Sequence, residues 1–237
     1  MYRRTYLSSA AIVTAGISTA GCLSTPFGPE PSAAPIFQAG TGGASSVDND
    51  ALQEWLDSTD IGDLTPTERD DIFWMREEEK LARDVYITLA DEWGLQVHTL
   101  IVDSEQSHMD AMLQLVEKYD LEDPATDTVG TFTNDQLQAF HDDLVEWGLE
   151  SVLDSLEVGC RIEEKDIKDI QVRLDRTDEP AIQRVYENLL AGARNHLRAF
   201  YRVLTRRGGD YDPVIISQEL FDEIVESDFE RGPQRGQ

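Results

Sequence analysis

The amino-acid sequence predicts an all-α protein, an antiparallel four-helix bundle with a short extra helix over residues 218–226. Three observations predict this class. Apolar residues recur at spacings of three and four along four long segments, capping residues bound those segments, and no segment shows convincing strand alternation. Helices of more than about 20 residues that are joined by modest loops bury their apolar stripes against one another.

The first two long helices have clear boundaries. Residues 65–68 (TPTE) form a capping box with proline at the first helical position, which places the start of the first helix. This helix is predicted to end at Trp93, because Gly94 can adopt the left-handed conformation of a C-cap. The second helix is predicted from Val97 to Tyr119.

The third and fourth long helices are bounded in the same way. A second capping box over residues 133–136 (TNDQ) begins the third region, which is interrupted at Gly148 and continues as a long helix to Leu174. The fourth helix is predicted to begin near residues 178–180 (DEP). It ends at residues 206–209 (RRGG), where two cations face the negative end of the helix dipole.

The N-terminus is interpreted as an export address. Residues 1–21 combine Arg3 and Arg4 with a short run of small apolar residues, which is the layout of an export signal. The arginine pair resembles the twin-arginine motif, and residues 19–22 (TAGC) resemble a lipoprotein cleavage box. Cys22 is therefore the expected lipidation site, and the sequence predicts an exported lipoprotein that is anchored to the membrane at the cell surface.

The remaining chain is predicted to divide into three parts. Residues 22–59 begin at the lipidated cysteine and are rich in Pro, Gly and Ser up to about residue 50, which predicts a flexible tether. Residues 60–227 contain the four-helix domain. Residues 228–237 are expected to be a disordered tail.

The charge balance excludes one class of function. The chain has 47 Asp and Glu against 20 Lys and Arg, a formal net charge of −27. A surface of this sign repels phosphate, so no nucleic-acid partner is expected. An acidic surface also suits a protein dissolved in concentrated salt, where ions screen its self-repulsion. The composition therefore indicates a halophilic source.

Ionisable residues interrupt the apolar stripes of all four long helices. No Lys or Arg shares these stripes, and burial of an uncompensated carboxylate costs several kcal/mol. A lone buried Glu or His is most often a hydrogen-bonded core residue, but their joint occurrence favours a metal site over a salt-bridged core. The predicted metal ligands are Glu78 on the first helix, Glu105 and His108 on the second, Glu163 and Asp166 on the third, and His196 on the fourth.

The ligand on the first helix is chosen by spacing. Glu78 lies three residues after Met75 and four before Ala82, so it continues an inward stripe. Glu77 and Glu79 flank it and are better placed for solvent, although Glu79 can also be half-buried. Glu78 is therefore the predicted ligand.

Three segments carry a family resemblance: residues 75–84 (MREEEKLARD), 104–110 (SEQSHMD) and 186–200 (YENLLAGARNHLRAF). They resemble a family of ferritin-like domains of unknown function (domain of unknown function 2202) over about residues 60–226. More distantly, the layout is similar to rubrerythrin and other ferritin-like di-iron bundles. The resemblance implies a ferritin-like bundle in which the six predicted residues bind metal.

The chain departs from that ligand layout at one position. The carboxylate expected one turn before His196 is missing, because Gly192 and Ala193 stand there. Two alternatives follow. Asp166 completes a dinuclear centre of four carboxylates and two imidazoles, or the site binds a single ion or none tightly.

The resemblance implies two iron ions, with manganese as the alternative metal. The resulting hypothesis is a lipid-anchored protein that oxidises Fe(II) or reduces oxygen or peroxide. Its expected partners are the membrane, through the lipid on Cys22, a second copy of the chain, and an electron donor of unknown identity. The alternative function is a non-catalytic surface lipoprotein, either a metal binder or a helical bundle that binds a partner.

Overall fold

Four long helices dominate the structure, a computed structural model that describes residues 36–231. Within these residues there are seven helices and one two-stranded sheet. In chain order the elements are β1 (Phe37–Ala39), β2 (Ser45–Val47), α1 (Asn49–Ser58), α2 (Pro66–Trp93), α3 (Gln96–Lys118), α4 (Asp135–Gly148), α5 (Val152–Leu174), α6 (Pro180–Arg206) and α7 (Gln218–Glu226).

The capping signals predict most of these boundaries correctly. Thr65 accepts a hydrogen bond from the backbone N–H of Glu68, whose carboxylate accepts from the N–H of Thr65 in return. Gly94 ends α2 with φ of 61°, in the left-handed region that favours glycine. The helix α4 begins one residue later than its capping box indicates, because the side chain of Asn134 rather than that of Thr133 caps it.

The long helices α2, α3, α5 and α6 close into a ring. The helix α2 packs along α3, α5 packs along α6, and the contacts α3–α6 and α2–α5 complete the ring. The helix α4 packs against α2 and α5, and α7 lies on α6. Leu89, Ile101, Leu156 and Phe200, one from each long helix, are fully buried. The prediction of an all-α fold is confirmed, with one small sheet added.

The structure differs from the predicted tether over residues 36–58. Strands β1 and β2 pair antiparallel, β2 contacts α3 and α6, and α1 contacts α3. Leu52 and Leu56 of α1 are fully buried. These short elements fold because they cover apolar surface of the long helices, which composition alone does not reveal. Residues 1–35, with the predicted signal and Cys22, lie outside the described residues.

The predicted disordered tail is also ordered where the structure describes it. Glu230 pairs with Arg194, with Nε and Oε1 2.5 Å apart, and its backbone bonds to the side chain of Asn195. Residues 232–237 lie outside the described residues. Among residues 36–231, no helix is both long and apolar enough to cross a membrane.

Candidate metal centre

Six ionisable side chains meet inside the ring of long helices. Each is at most 6% exposed. No Lys or Arg of residues 36–231 forms an ion pair with any of them. This group, here called the carboxylate–histidine cluster, consists of Glu79 from α2, Glu105 and His108 from α3, Glu163 and Asp166 from α5, and His196 from α6.

Glu105 lies at the centre of the cluster, between the two imidazoles. Its Oε2 is 2.9 Å from Nδ1 of His108, and its Oε1 is 2.9 Å from Nδ1 of His196. The two rings stack with centroids 5.4 Å apart. Glu105 and His108 are one turn apart on α3, which places them on the same side of this helix. Ligand atoms of these three residues all lie within 4.8 Å of one another.

A second carboxylate faces each imidazole. Glu79 Oε2 is 3.3 Å from Nδ1 of His108, and Glu163 Oε2 is 3.4 Å from Nδ1 of His196. The cluster therefore has two similar halves that share Glu105. One half contains Glu163 of α5 and His196 of α6 and is here called the α5–α6 half. In this half, the hydroxyl of Tyr86 donates a hydrogen bond to Glu163 Oε1 over 2.5 Å.

Negative charge raises the pKa of both histidines. Burial lowers the pKa of His108, but the Glu105 carboxylate outweighs burial and raises it to about 9. Burial likewise lowers the pKa of His196, while Glu105 and Glu163 raise it to about 10. Both imidazole rings are therefore protonated and positively charged at neutral pH in the absence of a metal ion.

Burial acts to raise the pKa of all four acids, but the net shift of Glu105 is opposite to that of the other three. Burial raises the pKa of Glu79 to about 8 and that of Glu163 to about 7. Burial, with the nearby charge of Glu79, raises the pKa of Asp166 well above its usual range. Burial also acts to raise the pKa of Glu105, but the protonated His196 and His108 lower it overall. The cluster thus contains more carboxylates than the two histidines can neutralise.

The donor atoms fit a metal centre. Oε1 of Glu79, Nε2 of His108, Oδ1 of Asp166 and Nδ1 of His196 are buried without a well-aligned hydrogen-bond partner among residues 36–231. Atoms that bind one ion at ~2.1 Å lie ~3 Å apart when adjacent, close to the separations between Glu105 and the imidazoles. Carboxylate and imidazole donors together suit iron, manganese or zinc.

Five of the six predicted ligands lie in the cluster, and Glu78 lies apart from it. Glu78 Oε1 accepts a hydrogen bond from Lys165 over 2.7 Å, and Oε2 accepts from the indole of Trp74 over 2.8 Å. The salt-bridged alternative therefore describes Glu78, while Glu79 faces His108. Helical spacing favoured Glu78, but every residue from 75 to 82 is buried, so spacing allows either glutamate to face the cluster.

Position 192 explains the missing carboxylate on the fourth helix. A Cβ atom at Gly192 would lie 2.5 Å from Cε1 of His108 and 3.0 Å from Oγ of Ser45. The imidazole therefore occupies the space that a side chain at this position would need. Asp166, one turn after Glu163 on α5, supplies the fourth buried carboxylate instead.

Ser45 is a contact of the cluster that sequence patterns did not indicate. Its Oγ lies 3.0 Å from Nε2 of His196, on the side of the ring opposite the carboxylates. The residue is only 2% exposed. It lies in a segment rich in Gly and Ser, where one serine among several carries no distinguishing signal.

These features define an all-α protein with a buried group of carboxylates and histidines between four long helices. Residues 68–228 match the family described as "Uncharacterized protein domain (DUF2202)", so the chain belongs to this family, as its motifs predict.

A relative from an archaeon extends the comparison. The chain is 45% identical over 185 residues to "Uncharacterized protein MJ0754" of Methanocaldococcus jannaschii. The aligned region covers 78% of this chain and all of that protein. It is also similar to the crystal structure of hypothetical protein MJ0754, with 44% identity and a TM-score of 0.71, over 73% of this chain and 99% of the other.

Proposed function

We propose that this protein is a ferritin-like four-helix bundle that binds two divalent metal ions at the carboxylate–histidine cluster. Iron is the proposed metal, and manganese is the alternative. The observation that supports this most directly is the burial of four carboxylates around two imidazoles, to which no Lys or Arg of residues 36–231 is paired.

Charge favours two ions over one. With neutral imidazoles, the four carboxylates of the cluster carry four negative charges, which two divalent cations neutralise. A single divalent ion would leave two negative charges in a site of low dielectric constant, at a cost of several kcal/mol.

The two halves of the cluster suggest how the ligands divide. Glu79 and His108 would hold one ion, and Glu163 and His196 the other. Glu105 faces both imidazoles and is the candidate for a shared ligand. Asp166 provides the remaining carboxylate.

The proposed activity is oxidation of Fe(II) or reduction of oxygen or peroxide. Two iron ions in such a centre supply reversible exchange of electrons with these molecules. The chain itself excludes bulk water, and Tyr86 orients Glu163 through its hydroxyl. An electron donor and a second copy of the chain are proposed partners.

The function is tested by titration of the metal-free full chain with Fe(II) under anaerobic conditions. We expect two ions per chain in the native protein and at least one fewer in Glu105→Gln. Glu187→Gln, which changes an exposed carboxylate on α6, serves as the control and should bind two. Fewer than one ion per chain, with no effect of Glu105→Gln, would contradict the proposal.

Addition of oxygen or peroxide to the loaded protein then separates the functional alternatives. Repeated oxidation of added Fe(II) supports the enzyme. Two bound ions without turnover support the non-catalytic metal binder, and no bound ion supports a helical bundle that binds a partner.

Location is a separate part of the proposal. The arginine pair and Cys22 support an exported, lipid-anchored protein at the cell surface. In cells, Cys22→Ala should move the mature protein from the membrane fraction to the soluble fraction. Equal membrane association of the variant and the native protein would contradict lipid anchoring.

A further inference from the structure

The hairpin of β1 and β2 reaches the cluster through one side chain, that of Ser45. Two side chains of α3 hold its strand β2 in place. The hydroxyl of Ser104 accepts a hydrogen bond from the N–H of Ser45 over 3.0 Å, and Ser107 accepts from the N–H of Val47 over 3.2 Å. The strand therefore docks through its backbone, and the side chain of Ser45 points at His196.

Two glycines allow the hairpin to approach so closely. Gly43 has φ of 95°, and a Cβ atom there would lie 2.2 Å from Cβ of Ala199 on α6. Gly192, also on α6, leaves room for the Ser45 hydroxyl. The absence of side chains at these two positions thus lets the hairpin pack against α6 and brings Ser45 within hydrogen-bond distance of the His196 imidazole.

The hydrogen bond between Ser45 Oγ and Nε2 of His196 leaves Nδ1 as the ring nitrogen that faces the carboxylates. If Nε2 keeps its proton and shares it with the serine oxygen, the lone pair of Nδ1 is free for a metal ion. His108 has no equivalent partner, because its Nε2 is unpaired among the described residues. The α5–α6 half also has the Tyr86 hydrogen bond to Glu163, whereas Oε1 of Glu79 in the other half is unpaired.

We propose that Ser45 is a positioning residue that holds the ring of His196, so that the metal position formed by His196 and Glu163 fills first. This inference rests on the proposed function. It assigns a role in the centre to the hairpin, which lies before residues 68–228 that match the family. The two metal positions are then unequal because, within the part of the chain that the structure describes, hydrogen bonds from Ser45 and Tyr86 support one of them and have no counterpart at the other.

The test uses the full chain labelled with ¹⁵N at histidine, with Zn²⁺ as a diamagnetic probe. In the native protein, the first equivalent of Zn²⁺ should shift Nδ1 of His196 before that of His108, while the Nε2 proton of His196 remains visible. Ser45→Ala should lose that protected proton and raise the Kd of the first step ~10–100-fold.

Ser107→Ala is the matched control. It removes a hydrogen bond that docks the same strand but touches no imidazole, so its Kd should stay within about threefold of the native value. Equal weakening in Ser45→Ala and Ser107→Ala would overturn the inference, because docking alone would then explain the effect. A first equivalent that shifts His108 would also overturn it.

Failure of the proposed function gives a different result. If the native protein binds neither Zn²⁺ nor Fe(II), the metal centre is refuted and with it the order of filling. The Nε2 proton then still decides whether Ser45 holds the ring, since it is measured without metal. Slow exchange of this proton with solvent in the native protein and fast exchange in Ser45→Ala would support that contact, and equally slow exchange in both would refute it.

Discussion

Glu78 and Glu79 are neighbours in sequence and both are buried, yet their charges are compensated in different ways. Glu78 is paired with Lys165, which also lies 2.7 Å from Asp169, and the indole of Trp74 donates to both carboxylates. Among residues 36–231, the charged neighbours of Glu79 are His108 and other acids. One buried acid is thus neutralised inside the chain, and the other requires protons or a metal ion.

The comparison teaches that burial alone does not identify a metal ligand. The surroundings of Glu78 form an ion-pair network that joins α2 to α5 and continues through Arg173 to the rim of the bundle. Among residues 36–231, no Lys or Arg pairs with the carboxylate–histidine cluster. The functional signal is therefore the absence of a Lys or Arg partner around several buried acids.

The largest expected effect is the loss of metal affinity in the Glu79→Gln variant. This change removes a proposed ligand, so the affinity for one ion should fall at least about 100-fold, because loss of a second-layer contact already costs 10–100-fold. Glu78→Gln should bind metal as the native protein does. Isothermal titration with Fe(II) measures both, and the reverse pattern would return the ligand role to Glu78.

The next effect is on stability when the ion pair of Glu78 is broken. Lys165→Met leaves a buried carboxylate unpaired, so the free energy of unfolding should fall by about 3 kcal/mol. Lys168→Met, at an exposed position on the same helix, should change it by no more than about 0.5 kcal/mol. Urea unfolding of the metal-free proteins provides the measurement, and equal effects of the two changes would argue against the ion pair.

His98 is buried in a third way, because it has no charged partner among the described residues and stays neutral. Burial lowers its pKa to about 4, below the value of about 6.5 in the unfolded chain. The unfolded chain binds the proton more readily, so this contribution to stability is complete above pH ~6.5 and is lost as the pH falls towards 4.

The test of His98 compares the native protein with His98→Gln. Between pH 7 and pH 5, unfolding of the native protein should lose about 2 kcal/mol more than that of the variant. Urea unfolding at several pH values measures the difference. Parallel pH profiles would show that His98 accepts a proton in the folded state without cost.

The smallest expected effect concerns the hydrogen bond from Tyr86 to Glu163. Tyr86→Phe should weaken metal binding about tenfold, since a hydrogen bond to a charged group contributes about 1.5 kcal/mol. Tyr186→Phe is the control, because the hydroxyl of this equally buried tyrosine has no partner among the described residues. If both variants bind Fe(II) alike, Tyr86 does not orient the cluster.

Local rules predicted the helices well because caps and breaks act within a few residues. The capping box at Thr65 and the left-handed Gly94 are set by their own neighbours, and both are confirmed. The strands β1 and β2 contain three residues each. Such lengths are too short for alternation to be recognised, and their pairing depends on contacts with α3 and α6.

The amino-acid sequence by itself determined the all-α class, most boundaries of the long helices, the family and five of the six cluster residues, because each depends on local chemistry or helical spacing. Only the tertiary structure places Glu79 rather than Glu78 beside an imidazole, since α2 is buried on every face over residues 75–82. It also brought Ser45 to His196 across 151 positions of the chain. Contacts at that separation depend on how the helices pack, which no local pattern encodes.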